Sequence, residues 1–349
     1  LIVGVYADAH FTMSSSIVIG NTGTTMGRLD RLIKSFEWMY DLFSENSVEL
    51  IINLGDLTDS PHLRAEEITA ISKALSYRKG IPEVHILGNH ETVTSDGQIN
   101  SISMLNSDPL VNLVINPFQT PGGKFLYLPY GSYEEGDLDK YSADILFSHI
   151  NIKESFINNS FSLRDGISPD YLSRKFSLVI NGHIHTGSWV RRNILNIGSI
   201  SGINFSTGNS SWNHSVGILD TETLDIKLFE NPESLRFIKV SADSLGDLKS
   251  KIDQSDHPHN VIQVTVPHDL RTDTRKLLDD AGVIFSKIVS KFDTYKNMPS
   301  EYIKIDRVNT VEDGFKAMMT YFSTKEKFKG FGVRELKRFL KDALTNGGK

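Results

Sequence analysis

The chain contains no cysteine. That excludes disulfides, thiolate zinc sites and a cysteine nucleophile, and it fits a cytoplasmic protein. No apolar run approaches the roughly 18–20 residues that cross a bilayer, so no membrane span is expected. No basic stretch with a cleavage site precedes the strand-like run Leu1–Tyr6, and no signal peptide is expected either. Positive charge is scarce: 37 Lys and Arg against 43 Asp and Glu leave a formal net charge of −6. Such a balance disfavours a polyanionic ligand unless bound cations supply charge locally. The scarcity is uneven, because from Lys325 onward eight Lys and Arg face only Glu326, Glu335 and Asp342. Residues 11–27 are rich in Ser, Thr and Gly but lack Gly-Lys-Ser/Thr. They are read as a lid or substrate-contacting loop rather than a nucleotide P-loop.

What the first two thirds do have is one repeated theme, a short apolar run followed at once by polar residues. The runs are Leu1–Tyr6, Leu50–Leu54, Val84–Leu87, Ala143–Phe147 and Phe176–Ile180. Continuous hydrophobicity over so few residues predicts strands buried on both faces. Between the first two, Leu29, Leu32, Ile33, Phe36, Tyr40 and Phe43 recur at three-to-four spacing, which predicts an amphipathic helix over 28–46. A shorter helix is expected over 65–77, and alternating strands and helices imply a layered α/β core. From about Asn231 the pattern changes to a small α+β module, with strands at 235–240 and 260–266 and helices at 245–252 and 274–281. A basic helix is expected over 326–344, with Val333, Leu336, Leu340 and Ala343 along one side.

The polar residues that follow the strands are Asp8 and His10, Asp56 and Asp59, Asn89 and His90, His149, and His183 and His185. Ligands of open α/β sheets bind beyond the carboxyl ends of the strands, so five strands would deliver these side chains to one place. Carboxylate, amide oxygen and imidazole without thiolate suit divalent Mn, Fe or Zn. A carboxylate shared by two ions would make in-line attack on phosphorus the natural reaction. Singly these signals are common: Asp-x-His recurs by chance, and Gly-Asp after a strand is often a turn. The ordered set is what carries the chemistry. His257 and His259 sit in a polar loop and are read as surface, and His62, His85, His214 and His268 lack a ligand-like context.

Asp8-Ala9-His10, Gly55-Asp56-Leu57-Thr58-Asp59, Gly88-Asn89-His90-Glu91, Ser148-His149 and Gly182-His183-Ile184-His185 resemble the five motifs of the calcineurin-like metallophosphoesterases. The resemblance covers roughly residues 1–220. It implies that Asp8, His10, Asp56 and His185 hold one metal, and Asp56, Asn89, His149 and His183 the other. It further implies that His90 acts on the scissile phosphate and its leaving oxygen, with Asp59 orienting it. Ser60-Pro61 after the second aspartate departs from the protein-phosphatase pattern, which has Arg there. The segment Ile197–Phe205 resembles the Gly-Ser-Pro…Phe stretch of SbcD-type (Mre-type) nucleases, with Ile200 where that group has Pro. Phe237 through Val266 is similar to their capping domain.

The expected organisation is an α/β/β/α metallophosphoesterase sandwich over 1–230, a capping DNA-binding domain over 231–300, and a linker with a C-terminal helix over 301–349. The function the resemblance implies is a DNA exonuclease and single-strand or hairpin endonuclease. Its two metals would be Mn, with Mg, Fe or Zn as alternatives. Its implied partners are DNA, an SbcC-type ABC ATPase and a second copy of itself. The rival readings are a phosphatase or cyclic-nucleotide phosphodiesterase of the same superfamily, and a non-catalytic scaffold.

Overall fold

The computed structural model describes residues 1–13, 27–94, 96–158, 161–205, 214–254, 260–281 and 284–291. Contacts divide the chain into two units, Leu1–Lys291 and Phe292–Lys349. Most of the Ser/Thr/Gly loop, His257 and His259, and the expected basic helix lie outside the described residues.

Along the chain come β1 (Ile2–Tyr6), α1 (Gly27–Glu45), β2 (Leu50–Asn53), α2 (Ala65–Leu75), β3 (Glu83–Ile86) and β4 (Val111–Val114). Next are β5 (Phe118–Gln119), β6 (Phe125–Leu128), α3 (Glu135–Leu138), β7 (Ile145–Ser148), β8 (Phe156–Asn158) and β9 (Phe161–Ser162). Then follow α4 (Pro169–Lys175), β10 (Leu178–Asn181), β11 (Ser188–Arg191), β12 (Ile194–Asn196), β13 (Ser215–Asp220) and β14 (Ile226–Glu230). Two six-stranded sheets result, ordered β14-β13-β1-β2-β3-β4 and β11-β12-β10-β7-β6-β5. The strands read from sequence lie at their centres, and β3, β7 and β10 are buried along their whole length.

Side-chain alternation sorts each strand between layers. Val3, Val5, Ile52 and Ile86 point inward against Tyr127, Phe147 and Ile180 of the opposite sheet. Tyr6 and Ile51 point outward to the stripe of Leu29, Leu32, Phe36, Tyr40 and Phe43 on α1. Burying Phe36 or Phe43 contributes about 1.5–3 kcal/mol each. The helix comes so close that a Cβ on Gly4 would stand 2.7 Å from the Phe43 ring. On the far side, Leu126, Leu146 and Val179 are covered by Leu138 of α3 and Leu172 of α4. The layers are therefore helix, sheet, sheet, helix.

Beyond the sandwich, β15 (Arg236–Ser241), α5 (Leu245–Asp253), β16 (Asn260–Pro267), α6 (Arg271–Asp280) and β17 (Ile284–Lys291) form a small module. Its three strands are parallel. Leu248 and Leu278 of the helices close its core over Ile262 and Val264. The module meets the sandwich at the loop after β12. There the Gly202 amide donates to the Leu235 carbonyl at 2.9 Å, and Phe205 packs edge-on against Phe237 at 5.0 Å. Among the described residues no helix is long and apolar enough to cross a membrane.

Candidate metal centre

Strands β1, β2 and β3 run parallel, as do β6, β7, β10 and β12, so their carboxyl ends emerge together. The loops beyond them are stitched side by side. Asp8 and His10 donate backbone N–H to the carbonyls of Gly55 and Asp56 at 3.0 Å each, and Gly182 donates to Ser148 at 2.9 Å. Asp8, His10, Asp56 and His183 all have left-handed backbones, with φ of 53°, 48°, 54° and 68°. Such conformations cost about 1–3 kcal/mol each and persist where surrounding structure enforces them. Gly88 has no side chain because the Asp56 carboxylate occupies the space a Cβ would need.

Hydrogen bonds at the backs of the imidazoles fix which nitrogens face the centre. His149 donates Nδ1–H to the Leu54 carbonyl at 2.6 Å, so in the neutral ring the Nε2 lone pair points inward. That Nε2 meets only acceptors, Asn89 Oδ1 at 3.0 Å and Asp56 Oδ2 at 3.2 Å. His10 donates Nδ1–H to Asp59 Oδ1 at 3.0 Å, and its Nε2 faces His185 Nε2 at 3.1 Å and Asp56 Oδ2 at 3.7 Å. His183 Nδ1 stands 2.9 Å from Asn89 Oδ1. Asp8 Oδ2 and Asp56 Oδ2 are buried without any hydrogen-bond partner.

Electron-rich atoms converge at such distances only with a proton or a cation between them, and a metal ion satisfies several of these donors at once. Donors held about 2.0–2.2 Å from one ion stand roughly 3–3.5 Å apart. Four pairs here lie between 2.9 and 3.2 Å, while His10 Nε2 stands 3.7 Å from Asp56 and 4.0 Å from Asp8. Asp8, His10 and His185 form one compact donor group, and Asp56, His149 and His183 another. Asp56 also approaches His10, and the Asn89 oxygen joins the second group. The residues therefore fit two divalent cations that share Asp56.

Without metal, protons and charge shifts answer the same crowding. Burial pushes the Asp8 carboxyl up to about 6. Burial opposes a charged His149, but Asp56 and Asp8 outweigh it and raise the imidazole to about 9. His183 is driven down to about 3 by burial and the charge on His149.

His90 stands at the edge, with 39% of its side chain exposed. Its backbone N–H donates to Asp56 Oδ1 at 2.9 Å, and its Nδ1–H to the Asp59 carbonyl at 3.0 Å. The Asp59 carboxylate is 3.7 Å from that nitrogen and is hydrogen-bonded to His10 instead. His90 also falls within a third donor group, with His10 and Asp56. Every site residue read from the sequence is thus in or beside one cluster. Three of the histidines set aside stand apart from it: His62 is exposed, His85 is buried beside Asn53, and His214 contacts Ser199.

Sequence reasoning missed the supports behind the centre. Glu91 is fully buried and accepts from the amides of Leu57 at 2.7 Å and Gly88 at 2.8 Å, stapling two donor-bearing loops together. Asn151 Oδ1 lies 2.8 Å from His183 Nε2. Asn181 ties the Ser148 hydroxyl to the Ile150 amide. Buried Arg28 donates to the carbonyls of Gly202 and Ala9. Glu91 was visible as a charged residue inside a motif, and Asn151 as a polar residue two positions beyond His149.

A helix–sheet–sheet–helix sandwich with two cation-donor sets at its strand ends is the architecture of a metal-dependent hydrolase. The family model for calcineurin-like phosphoesterases matches residues 1–187. That is more than half of the chain, and the chain belongs to this family of metal-dependent phosphoester hydrolases. No curated protein matches the sequence. Among solved structures, TT1561 of Thermus thermophilus is 11% identical, covering 66% of this chain and 98% of its own, at a TM-score of 0.40. A dimetal phosphatase from Danio rerio is 12% identical, covering 65% of this chain and 95% of its own, at a TM-score of 0.37.

Proposed function

We propose that the protein is a manganese-dependent DNA nuclease, exonucleolytic at ends and endonucleolytic on single strands and hairpins. It would act in the cytoplasm as the nuclease subunit of an SbcC–SbcD-type complex, as a homodimer with an ABC ATPase. The observation that carries this reading is the parallel module of β15–β17 appended to the sandwich. It is seated on the Gly202–Phe205 loop, whose start is tied to the centre by the Ser199 amide donating to the His185 carbonyl at 3.1 Å. A small hydrolase of phosphomonoesters needs no such platform, whereas a polymer must be supported beyond the bond that breaks. The likeness of Ile197–Phe205 and Phe237–Val266 to SbcD-type sequences supports the same assignment.

Two divalent ions, when bound, supply an acidified water and neutralise charge on the phosphoryl oxygens. Asp56 provides the carboxylate between the two donor sets. Asp8, His10 and His185 complete one set, and Asn89, His149 and His183 the other. His90 has committed Nδ1–H to the Asp59 carbonyl, so Nε2 is the nitrogen left to deliver a proton to the leaving oxygen.

The test is hydrolysis by the full chain with Mn²⁺ of labelled single-stranded, hairpin and duplex DNA. A phosphomonoester and a cyclic nucleotide run beside them, with Asp56→Asn as the control. Manganese-dependent DNA cleavage absent in Asp56→Asn is expected. Turnover confined to the small esters would replace the nuclease reading with a phosphatase or cyclic phosphodiesterase. Truncation after Ser323 tests the partner: the shortened chain should keep single-strand activity and lose co-purification with the ATPase.

A further inference from the structure

Large apolar side chains half open to solvent are ordinary on a protein surface. Among those described, Phe118 stacks on Tyr127 along edge strand β5, and Trp189 lies on edge strand β11. Tyr130 differs by its place. It is 41% exposed, and its ring centroid lies 5.6 Å from that of His183 and 6.3 Å from that of His149. Both contacts are tilted or edge-on, at 41° and 73°, so they fix the ring without stacking over it. Its backbone is pinned as well. Pro129 precedes it, and the Tyr130 amide donates to the Leu87 carbonyl at 2.8 Å, just before Gly88 and Asn89. The backbone is thus held between the ends of β6 and β3, one from each sheet, while the ring faces the imidazoles that follow β7 and β10. Among the described residues its hydroxyl has no protein partner.

We propose that Tyr130 is the platform on which the nucleobase beside the scissile phosphate stacks. The inference rests on the nuclease reading above and names a substrate contact that reading lacks. A phosphate bound by cations at the Asn89, His149 and His183 donors would carry its base one sugar away, and the Tyr130 ring lies beside that donor set, with centroids 5.6 Å from His183 and 6.3 Å from His149. Stacking suits a nuclease without sequence preference, because every base offers a π-face. It also suits this chain's acidity. With a net charge of −6, a stacking contact adds affinity beyond the metals without drawing on basic side chains.

Calorimetry on the manganese-loaded full chain separates base from phosphate by comparing thymidine 5′-monophosphate with 2-deoxyribose 5-phosphate. The wild type is expected to prefer the nucleotide by roughly tenfold or more, the range one stacked base supplies. Tyr130→Phe should keep that preference. Tyr130→Ala should abolish it while leaving the sugar phosphate's Kd and the manganese content unchanged. The preference should also persist in raised salt. The proposal is overturned by an absent preference in the wild type, by its survival in Tyr130→Ala, or by equal weakening of both ligands. Loss in Tyr130→Phe equal to that in Tyr130→Ala would overturn it too, since the contact would then be the hydroxyl. DNA cleavage by the same preparations is scored separately: an enzyme inert on DNA sinks the nuclease reading, while the ligand comparison still decides Tyr130.

Discussion

The Asp59 carboxylate belongs to His10: Oδ1 lies 3.0 Å from His10 Nδ1 and 3.7 Å from His90 Nδ1. The motif resemblance implied that Asp59 orients His90, but the backbone carbonyl of Asp59 makes that hydrogen bond. The carboxylate instead fixes the tautomer that presents His10 Nε2 to the centre. Burial works against its charge, and His10 with His90 still holds Asp59 below the ordinary carboxylate range.

Asp59→Asn should therefore act on metal affinity before it acts on chemistry. Removing the charge behind a ligating imidazole typically costs about 10–100-fold in metal affinity, and manganese titration should show that loss. At saturating manganese the carbonyl still orients His90, so kcat should fall by less than about tenfold. Unchanged metal affinity with a collapsed kcat would return Asp59 to the service of His90.

For His90 the decisive comparison is stoichiometry against rate. His90→Ala should still bind two metal equivalents yet lose turnover on the order of 10²–10⁴, the usual contribution of a positioned acid. Its place in a donor group with His10 and Asp56 makes the alternative concrete. If His90→Ala loses one metal equivalent, the residue is a ligand rather than an acid.

Glu91→Gln tests the staple between the loops. The carboxylate accepts amides on both oxygens, whereas a Gln side chain offers one acceptor and sets its own N–H against a backbone N–H. A buried donor left unpaired costs about 1–3 kcal/mol. A lowered melting temperature in metal-free protein is expected, with weaker manganese binding because the Asp56 and Asn89 loops loosen together. A variant with wild-type stability and metal binding would show that the staple is dispensable.

The centre was legible because its donors directly follow central strands whose apolar runs are continuous, and a parallel sheet buries such strands on both faces. Tyr130 follows the same rule. The run Phe125–Leu128 ends in Pro-Tyr-Gly, but β6 was not read as a strand, so the residues at its end carried no signal. Strands β5, β8, β9 and β12 have only two or three residues each, too few for a period to register. In β17, Ile-Phe-Ser-Lys-Ile-Val-Ser-Lys repeats every four residues and suits a helix as well as a strand; pairing with β16 settles it. Glu91 and Asn151 act through backbone amides and a ring nitrogen, partners that no spacing reveals.

Glu83 defies the pattern most sharply, a carboxylate at a wholly buried position of a central strand. Tyr6 and Tyr40 donate their hydroxyls to its two oxygens at 2.7 and 3.0 Å. His85 Nε2 stands at 3.3 Å and Arg78 Nη1 at 3.6 Å. Burial disfavours the charged form, but His85, Tyr6 and Arg78 together hold Glu83 below its ordinary value. The same carboxylate, after burial itself, raises both tyrosines well above theirs. Glu83→Gln leaves one hydroxyl without an acceptor and strips Arg78 of one of two carboxylates, since Asp108 remains at 2.5 Å. Breaking a buried pair costs about 3–5 kcal/mol, and the retained Asp108 puts the expectation near the lower end. A depressed carboxylate stabilises above its unfolded pKa of about 4.3 and ceases to do so as pH falls through the lower folded value. Urea unfolding of metal-free wild type and Glu83→Gln should therefore differ by about 3 kcal/mol at about pH 7. The gap should narrow progressively below about pH 4. A gap that stays constant down to about pH 3 would mean that hydrogen bonds alone, without the charge, account for the cost.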